Sequence, residues 1–278
     1  MTSLPASIEL VRPGLRRGGF RLAIFDFDGT VSLIREGWAG IMADLGLDLL
    51  REQDKLKEPA ADLRIYLEDQ MLRLSGKPSI YQMRRLAEVI GEQGGTPGDP
   101  EQYLQEFLAR LFAITGQRKD DLVSGKAPPS AWAVAGTHAL LDQLRSRGVH
   151  LVLASGTDLA HVRTEAELLG LTGYFAPHIY APANDTPNFS KGEVMARMLT
   201  EFNVTPDQVI SFGDGYSETV EIKRLGGVAV GVASREADLP GINEMKRTML
   251  IELGADLILA DYREHQALVP WLFDGASS

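Results

Sequence analysis

Apolar residues recur along this chain in two different rhythms, and the change of rhythm divides it. Leu22-Ala23-Ile24-Phe25 is a continuous apolar run, the pattern of a strand buried on both faces. From about Arg35 to Ser130 such runs disappear, and apolar residues return every three or four positions: Trp38, Ile41, Met42, Leu45 and Leu49; Leu63, Leu67, Met71 and Leu74; Ile80, Met83, Leu86, Val89 and Ile90; Tyr103, Leu104, Phe107, Leu108, Leu111 and Phe112. This spacing predicts four helices. The Gly- and Pro-rich residues 91–100 separate the last two, with Asp99 as cap and Pro100 as first helical residue.

Alternation then resumes. Helices are predicted over 132–147, 158–169, 191–202, 218–225 and 242–253, and strands over 149–154, 177–180, 209–212, 228–232 and 257–260. Strands alternating with helices imply an α/β fold with a parallel, Rossmann-like sheet covered on both faces. The helical stretch is then an insertion after the first strand, so residues 1–34 and 131–278 form an α/β core and residues 35–130 a separate helical unit. Residues 1–20 are weakly patterned, with a short strand over 7–11 and Arg12, Arg16 and Arg17 among prolines and glycines, which reads as a solvated lead-in.

Composition narrows the function. With 278 residues, 44% hydrophobic and 24% charged, the chain can bury a substantial core. Its formal net charge of -10 disfavours nucleic-acid phosphates and anionic membranes as partners. The absence of cysteine excludes disulfides, thiolate metal sites and a cysteine nucleophile. No apolar run has the length of a signal peptide or a membrane span, so a cytoplasmic enzyme is expected.

Candidate chemistry gathers at strand ends. The first strand runs into Asp26-Phe27-Asp28-Gly29-Thr30. Side chains two apart on extended backbone point the same way, so Asp26 and Asp28 are expected to project together. Two carboxylates aimed at one point call for a cation, and Mg2+ suits oxygen ligands shared with phosphate. Residues 151–154 lead into Ser155-Gly156-Thr157-Asp158, a strand, small-residue turn and helix start that favour an anion. Ser190 and Glu193 fit a capping box that puts Lys191 at the first helical position, against the helix dipole; a bound anion would remove that conflict. Residues 210–215 repeat the device of strand, acid and glycine at Asp214, with Glu218 four residues on. The five histidines show no metal-binding spacing, and neither a Gly-x-Ser-x-Gly elbow nor a Walker loop is present.

Asp-x-Asp-Gly-Thr at 26–30, then Ser155, Lys191 and Asp214 in that order, resembles the four motifs of the haloacid dehalogenase-like hydrolases, over residues 22–232. The resemblance implies that Asp26 is a phosphoryl-accepting nucleophile and Asp28 a general acid/base. Ser155 would bind the transferring phosphoryl group and Lys191 neutralise it, with Thr30 and Gly156 also binding substrate. Asp26, the backbone carbonyl of Asp28 and Asp214 would hold Mg2+. Glu218 stands where the family carries a second acid, more often Asp. The insert resembles a type 1 helical cap. Because it begins just after Thr30, its first segment is expected beside the site, where Arg35 would clamp an anionic or hydroxylated leaving group and Trp38 supply an apolar wall; the alternative is a solvated hinge residue at Arg35 and a core residue of the insert at Trp38. The expected activity is Mg2+-dependent hydrolysis of a small phosphorylated metabolite through an aspartyl-phosphate. A phosphomutase with the same site, a phospho-accepting signalling domain and a binding protein of the same fold are the alternatives.

Overall fold

The computed structural model describes residues 4–57, 59–75, 77–183, 189–235 and 241–274. Its centre is a seven-stranded sheet made of β1 (Ile8–Leu10), β2 (Leu22–Phe25), β3 (His150–Ala154), β4 (Ile179–Tyr180), β5 (Val209–Gly213), β6 (Val228–Val232) and β7 (Leu257–Leu259), in the spatial order β1-β7-β6-β5-β2-β3-β4. Every neighbouring pair is parallel except β1 with β7. The expected parallel sheet is therefore present, with the lead-in adding an antiparallel edge strand.

β2 is central and buried throughout, as its unbroken apolar run requires. Its side chains alternate between two cores. Ala23 and Phe25 join Phe212, Leu153, Val230 and Leu272 on one face, where the Phe25 and Phe212 rings stack at 4.6 Å. Leu22 and Ile24 join Val152, Val194, Met198 and Ile222 on the other.

Between β2 and β3 lie α1 (Trp38–Glu52), α2 (Ala61–Leu72), α3 (Ser79–Glu92) and α4 (Pro100–Val123). All four coincide with the periodic stripes, and Asp99 caps α4 by accepting from the Glu101 amide. Their shared core holds Met42, Leu67, Leu86, Ile90 and Phe107, and it continues into Met249, Leu250 and Ile258 of the sheet-bearing part. The chain enters and leaves this insert side by side: Leu33 N–H donates to Trp132 O and Val134 N–H to Val31 O. Arg118 of α4 grips the entering segment by donating to the carbonyls of Leu33, Ile34 and Glu36.

The remaining helices are α5 (Thr137–Ser146), α6 (Leu159–Leu168), α7 (Thr172–Phe175), α8 (Lys191–Glu201), α9 (Tyr216–Leu225), α10 (Glu244–Glu252) and α11 (His265–Phe273). α5 starts five residues later than its apolar pattern predicts. The Trp132 and Val134 backbones are committed to the paired entry and exit segments, and Gly136 at φ 84° makes the turn into the helix, packed where a Cβ would run into the Tyr262 backbone. α11, with Pro270 inside it, is not among the expected helices, although Leu268, Val269, Trp271 and Leu272 are buried at helical spacing. Among the described residues no helix is long and apolar enough to cross a membrane.

Candidate active site

The carboxyl ends of β2, β3 and β5 lie side by side in the sheet, which brings three of the sequence motifs to one edge. Asp26 follows Phe25 and continues the alternation of Leu22 and Ile24, toward the face covered by α8 and α9. There Lys191 Nζ approaches Asp26 Oδ1 at 2.6 Å and Glu218 Oε2 at 2.9 Å, and the Phe27 amide donates to the same Asp26 oxygen at 2.7 Å. Lys191 is the first residue of α8, behind Ser190, whose hydroxyl accepts from the Glu193 amide. The cation at a helix start is thus matched by two carboxylates in place of solvent.

Asp28 has partners of its own. The strand ends at Phe25, and both acids line the same cavity, while their side chains meet different neighbours. Asp28 Oδ2 accepts a 2.7 Å bond from Thr157 Oγ1, and Oδ1 lies 3.8 Å from Arg35 Nε. Asp158 caps α6, accepting from the Ala160 amide, which leaves the Thr157 hydroxyl to reach Asp28. Ser155 Oγ accepts from the Thr157 amide at 3.0 Å and is nearly wholly buried.

Asp26, Asp28, Ser155, Gly156, Thr157 and Lys191 line one cavity of about 100 Å3. Its opposite wall is the insert: Trp38 from α1, Phe107, Leu108 and Leu111 from α4, and Ser75, Lys77, Ser79 and Gln82 around the α2–α3 connection. Gln82 is 3% exposed; its Nε2 donates to the Leu74 carbonyl, which fixes the amide orientation, and its Oε1 accepts from nothing among the described residues.

Two expected substrate contacts need correction. Thr30 is completely buried and does not line the cavity. Gly29, at φ 73°, turns the chain inward, and the Thr30 carbonyl accepts from Tyr262 Oη. Arg35 does line the cavity, but its Nε and Nη2 donate to both oxygens of Glu165 at 3.1 and 2.8 Å, and Glu165 has no exposed surface. A guanidinium committed to a buried carboxylate is not free to clamp a leaving group on that edge. Lys119 of α4 lies 3.8 Å from the same Glu165.

One oxygen each from Asp26, Asp214 and Glu218 lies within 4.8 Å of the others, and all three residues are buried. The carboxylate of Asp28 is not part of this set. A convergent, all-oxygen, buried donor set fits a hard divalent cation such as Mg2+. Burial pushes the Asp26 carboxyl well above its usual range; Lys191 pulls it down, while Glu218 and Asp214 push it up. Burial likewise raises Asp214 to about 6 against the pull of Lys246, and Asp28 to about 6 against the pull of Arg35. Burial of Lys191 is outweighed by Asp26 and Glu218, which keep it charged. Glu218, at the start of α9, also accepts from the Gly215 amide, so the longer acid reaches both the lysine and the turn after β5.

Sequence patterns gave no sign of Lys246. It lies in the first turn of α10, is 2% exposed, and places Nζ 3.0 Å from Asp214 Oδ2 and 3.4 Å from Glu36 Oε1. Only its partners, 32 and 210 residues away in the chain, reveal it.

The family model for haloacid dehalogenase-like hydrolases matches residues 20–226. Solved structures share the fold. A haloacid dehalogenase-like protein of unknown function from Agrobacterium tumefaciens is 19% identical, with 91% of this chain and 99% of that chain covered and a TM-score of 0.58. A HAD family hydrolase from Deinococcus radiodurans, holding phosphate and sodium, is 18% identical over 93% and 100%, with a TM-score of 0.57. A predicted phosphoglycolate phosphatase from Haemophilus somnus is 14% identical over 90% and 98%, with a TM-score of 0.56. No curated protein matches the sequence.

Proposed function

The chain belongs to the haloacid dehalogenase-like hydrolases, and from that premise we propose that it is a Mg2+-dependent phosphatase acting on a small phosphomonoester. The observation that carries the reading is the meeting of Asp26, Asp28, Ser155 and Lys191 on one wall of a single cavity, above a convergent set of buried acids.

The chemistry follows from the contacts. An Asp26 oxygen attacks phosphorus in line and the ester bond to the leaving oxygen breaks. Asp28, aimed by Thr157, gives its proton to that oxygen. Water then attacks the aspartyl-phosphate, Asp28 takes the water's proton, and phosphate leaves with Asp26 restored. A carboxyl raised to about 6 exchanges protons readily in both directions near neutral pH. Ser155, Lys191 and the Gly156 amide oppose the negative charge on the transferring group; the Ser155 and Thr157 amides are already bonded to the Tyr180 carbonyl and Ser155 Oγ. Asp26, Asp214 and Glu218, with the backbone carbonyl of Asp28, would hold the divalent ion, which supplies positive charge against the phosphoryl oxygens when bound.

The core wall recognises only phosphate, so the insert must recognise the rest. Its apolar side chains Trp38, Phe107, Leu108 and Leu111, and Gln82 Oε1, which has no partner among the described residues, favour a compact leaving group with an apolar face and a hydroxyl or amine donor. The test is phosphate release from p-nitrophenyl phosphate with and without Mg2+, followed by a panel of phosphorylated metabolites. Metal-dependent release supports the enzyme; no release from any ester, with phosphate still bound, would make it a binding protein of this fold. A phosphorylated product in place of free phosphate would make it a mutase.

A further inference from the structure

Lys246 is a second buried lysine at the acidic site, paired with Asp214 where Lys191 is paired with Asp26 and Glu218. Its ammonium is shared. Asp214 Oδ2 lies at 3.0 Å, both Glu36 oxygens at 3.4 and 3.5 Å, and Ser234 Oγ at 3.4 Å. Ser234 in turn donates to the Gly29 carbonyl, between the two acids of the first motif and the insert. At Gly29 an added Cβ would run into Asp214 Oδ2 and stand 3.1 Å from Lys246 Nζ, so the chain leaves this contact free of side chains. Glu36 belongs to the entering segment of the insert, one residue before Gly37 caps α1. One ammonium therefore joins a candidate metal ligand to the first residues of the insert.

A cation 3.0 Å from a carboxylate competes with any metal ion for that carboxylate. Resting on the metal-dependent reading above, we propose that Lys246 is a built-in competitor that sets how tightly the acidic site holds a divalent ion, and that Glu36 weakens the competition by drawing the ammonium toward the insert. The divalent ion binds to Asp26, Asp214 and Glu218 against the positive charge of Lys246. The outcome depends on how that charge is divided between Asp214 and Glu36.

The two ends of the Lys246–Glu36 pair should act in opposite directions. Lys246→Met removes the competing charge and tightens Mg2+ binding, by at least about tenfold given the size of single-charge effects at this separation. Glu36→Gln leaves the ammonium wholly to Asp214 and weakens Mg2+ binding, by roughly tenfold on the same scale. Isothermal titration of the full chain with MgCl2 reads both, with circular dichroism confirming that each variant is folded. A purely structural ion pair predicts lower melting temperatures in both variants and unchanged Mg2+ affinity; that result, or a change in the same direction in both, overturns the proposal. If Lys246→Met does not fold, Glu36→Gln decides alone: unchanged or tighter Mg2+ binding overturns it. A wild-type chain that binds no divalent ion removes the metal-dependent reading itself, whereas a wild type that binds Mg2+ without opposed variants removes only the role of Lys246.

Discussion

Thr157 Oγ1 donates to Asp28 Oδ2 at 2.7 Å, and this bond ties the turn after β3 to the acid that follows β2. Its other oxygen, 3.8 Å from Arg35 Nε, accepts no hydrogen bond among the described residues, so Thr157 alone fixes the carboxyl by hydrogen bonding at the cavity wall. Thr157→Val keeps the shape and loses the bond. We predict a fall in kcat of roughly ten- to a hundredfold, within the range of general acid/base effects, with KM little changed. The loss should be greater on an alkyl phosphate than on p-nitrophenyl phosphate, whose leaving group departs without a proton. Steady-state kinetics on both esters, with Thr157→Ser as the rescue, check it; equal retention of activity on both would detach Thr157 from proton transfer.

On the proposed mechanism, Asp26→Asn removes the nucleophile and leaves a similar shape. Turnover is predicted to fall by at least about a thousandfold while circular dichroism stays native. Acid-stable trapping of labelled phosphate on the wild type, and none on the variant, would place the covalent step at this residue. Substantial activity in the purified variant would rule it out.

Stability should depend on pH through Asp214, whose carboxyl rises from 3.8 to about 6 on folding because burial disfavours its charge. A raised folded value means that the folded chain binds the proton more tightly. The stabilising contribution is fully present below about 3.8 and is lost as pH rises through about 6, a difference on the order of 3 kcal/mol. In EDTA, the melting temperature of Asp214→Asn relative to wild type should therefore rise between pH 4 and pH 7. A difference that stays flat across that window would show that Asp214 titrates normally.

Arg35 and Glu165 form a bidentate buried pair. Breaking such a pair from one side costs about 3–5 kcal/mol, because a buried charge is left behind. Arg35→Met is predicted to destabilise by that order, and the double variant Arg35→Met with Glu165→Leu to recover most of it. Urea unfolding of the single and double variants measures the cycle. Additive losses would mean that the pair does not act as a unit.

Much of this was legible in the sequence because it obeys short periods. The run 22–25 specified a doubly buried strand, the stripes at three and four specified α1 to α4, and the repeated strand-acid-glycine pattern placed Asp26 and Asp214 at neighbouring strand ends. The misses share a different origin. Thr157, Glu165 and Lys246 matter through partners 129, 130 and 210 residues away, which no local pattern encodes. Arg35 stands beside the cavity as expected, but its pairing with Glu165, a buried acid on α6 with no motif of its own, had no signal in the sequence. Thr30 follows Asp28 closely in sequence, yet one positive-φ glycine carries it beneath the site.

Gly215 has an extended backbone, φ -140° and ψ -172°, so nothing in its own conformation demands glycine. The demand comes from the insert: a Cβ there would stand 2.6 Å from Ser75 Oγ, and 3.0 Å from Glu218 Oε1. Two stretches 140 residues apart thus compete for one atom's worth of space. Alanine at 215 becomes a wedge driven between the α2–α3 connection and the turn after β5, and the chain must yield at one or the other. Glycine at 75 should relieve the wedge on the insert side alone, so these two positions are expected to vary together among relatives and neither to change freely by itself.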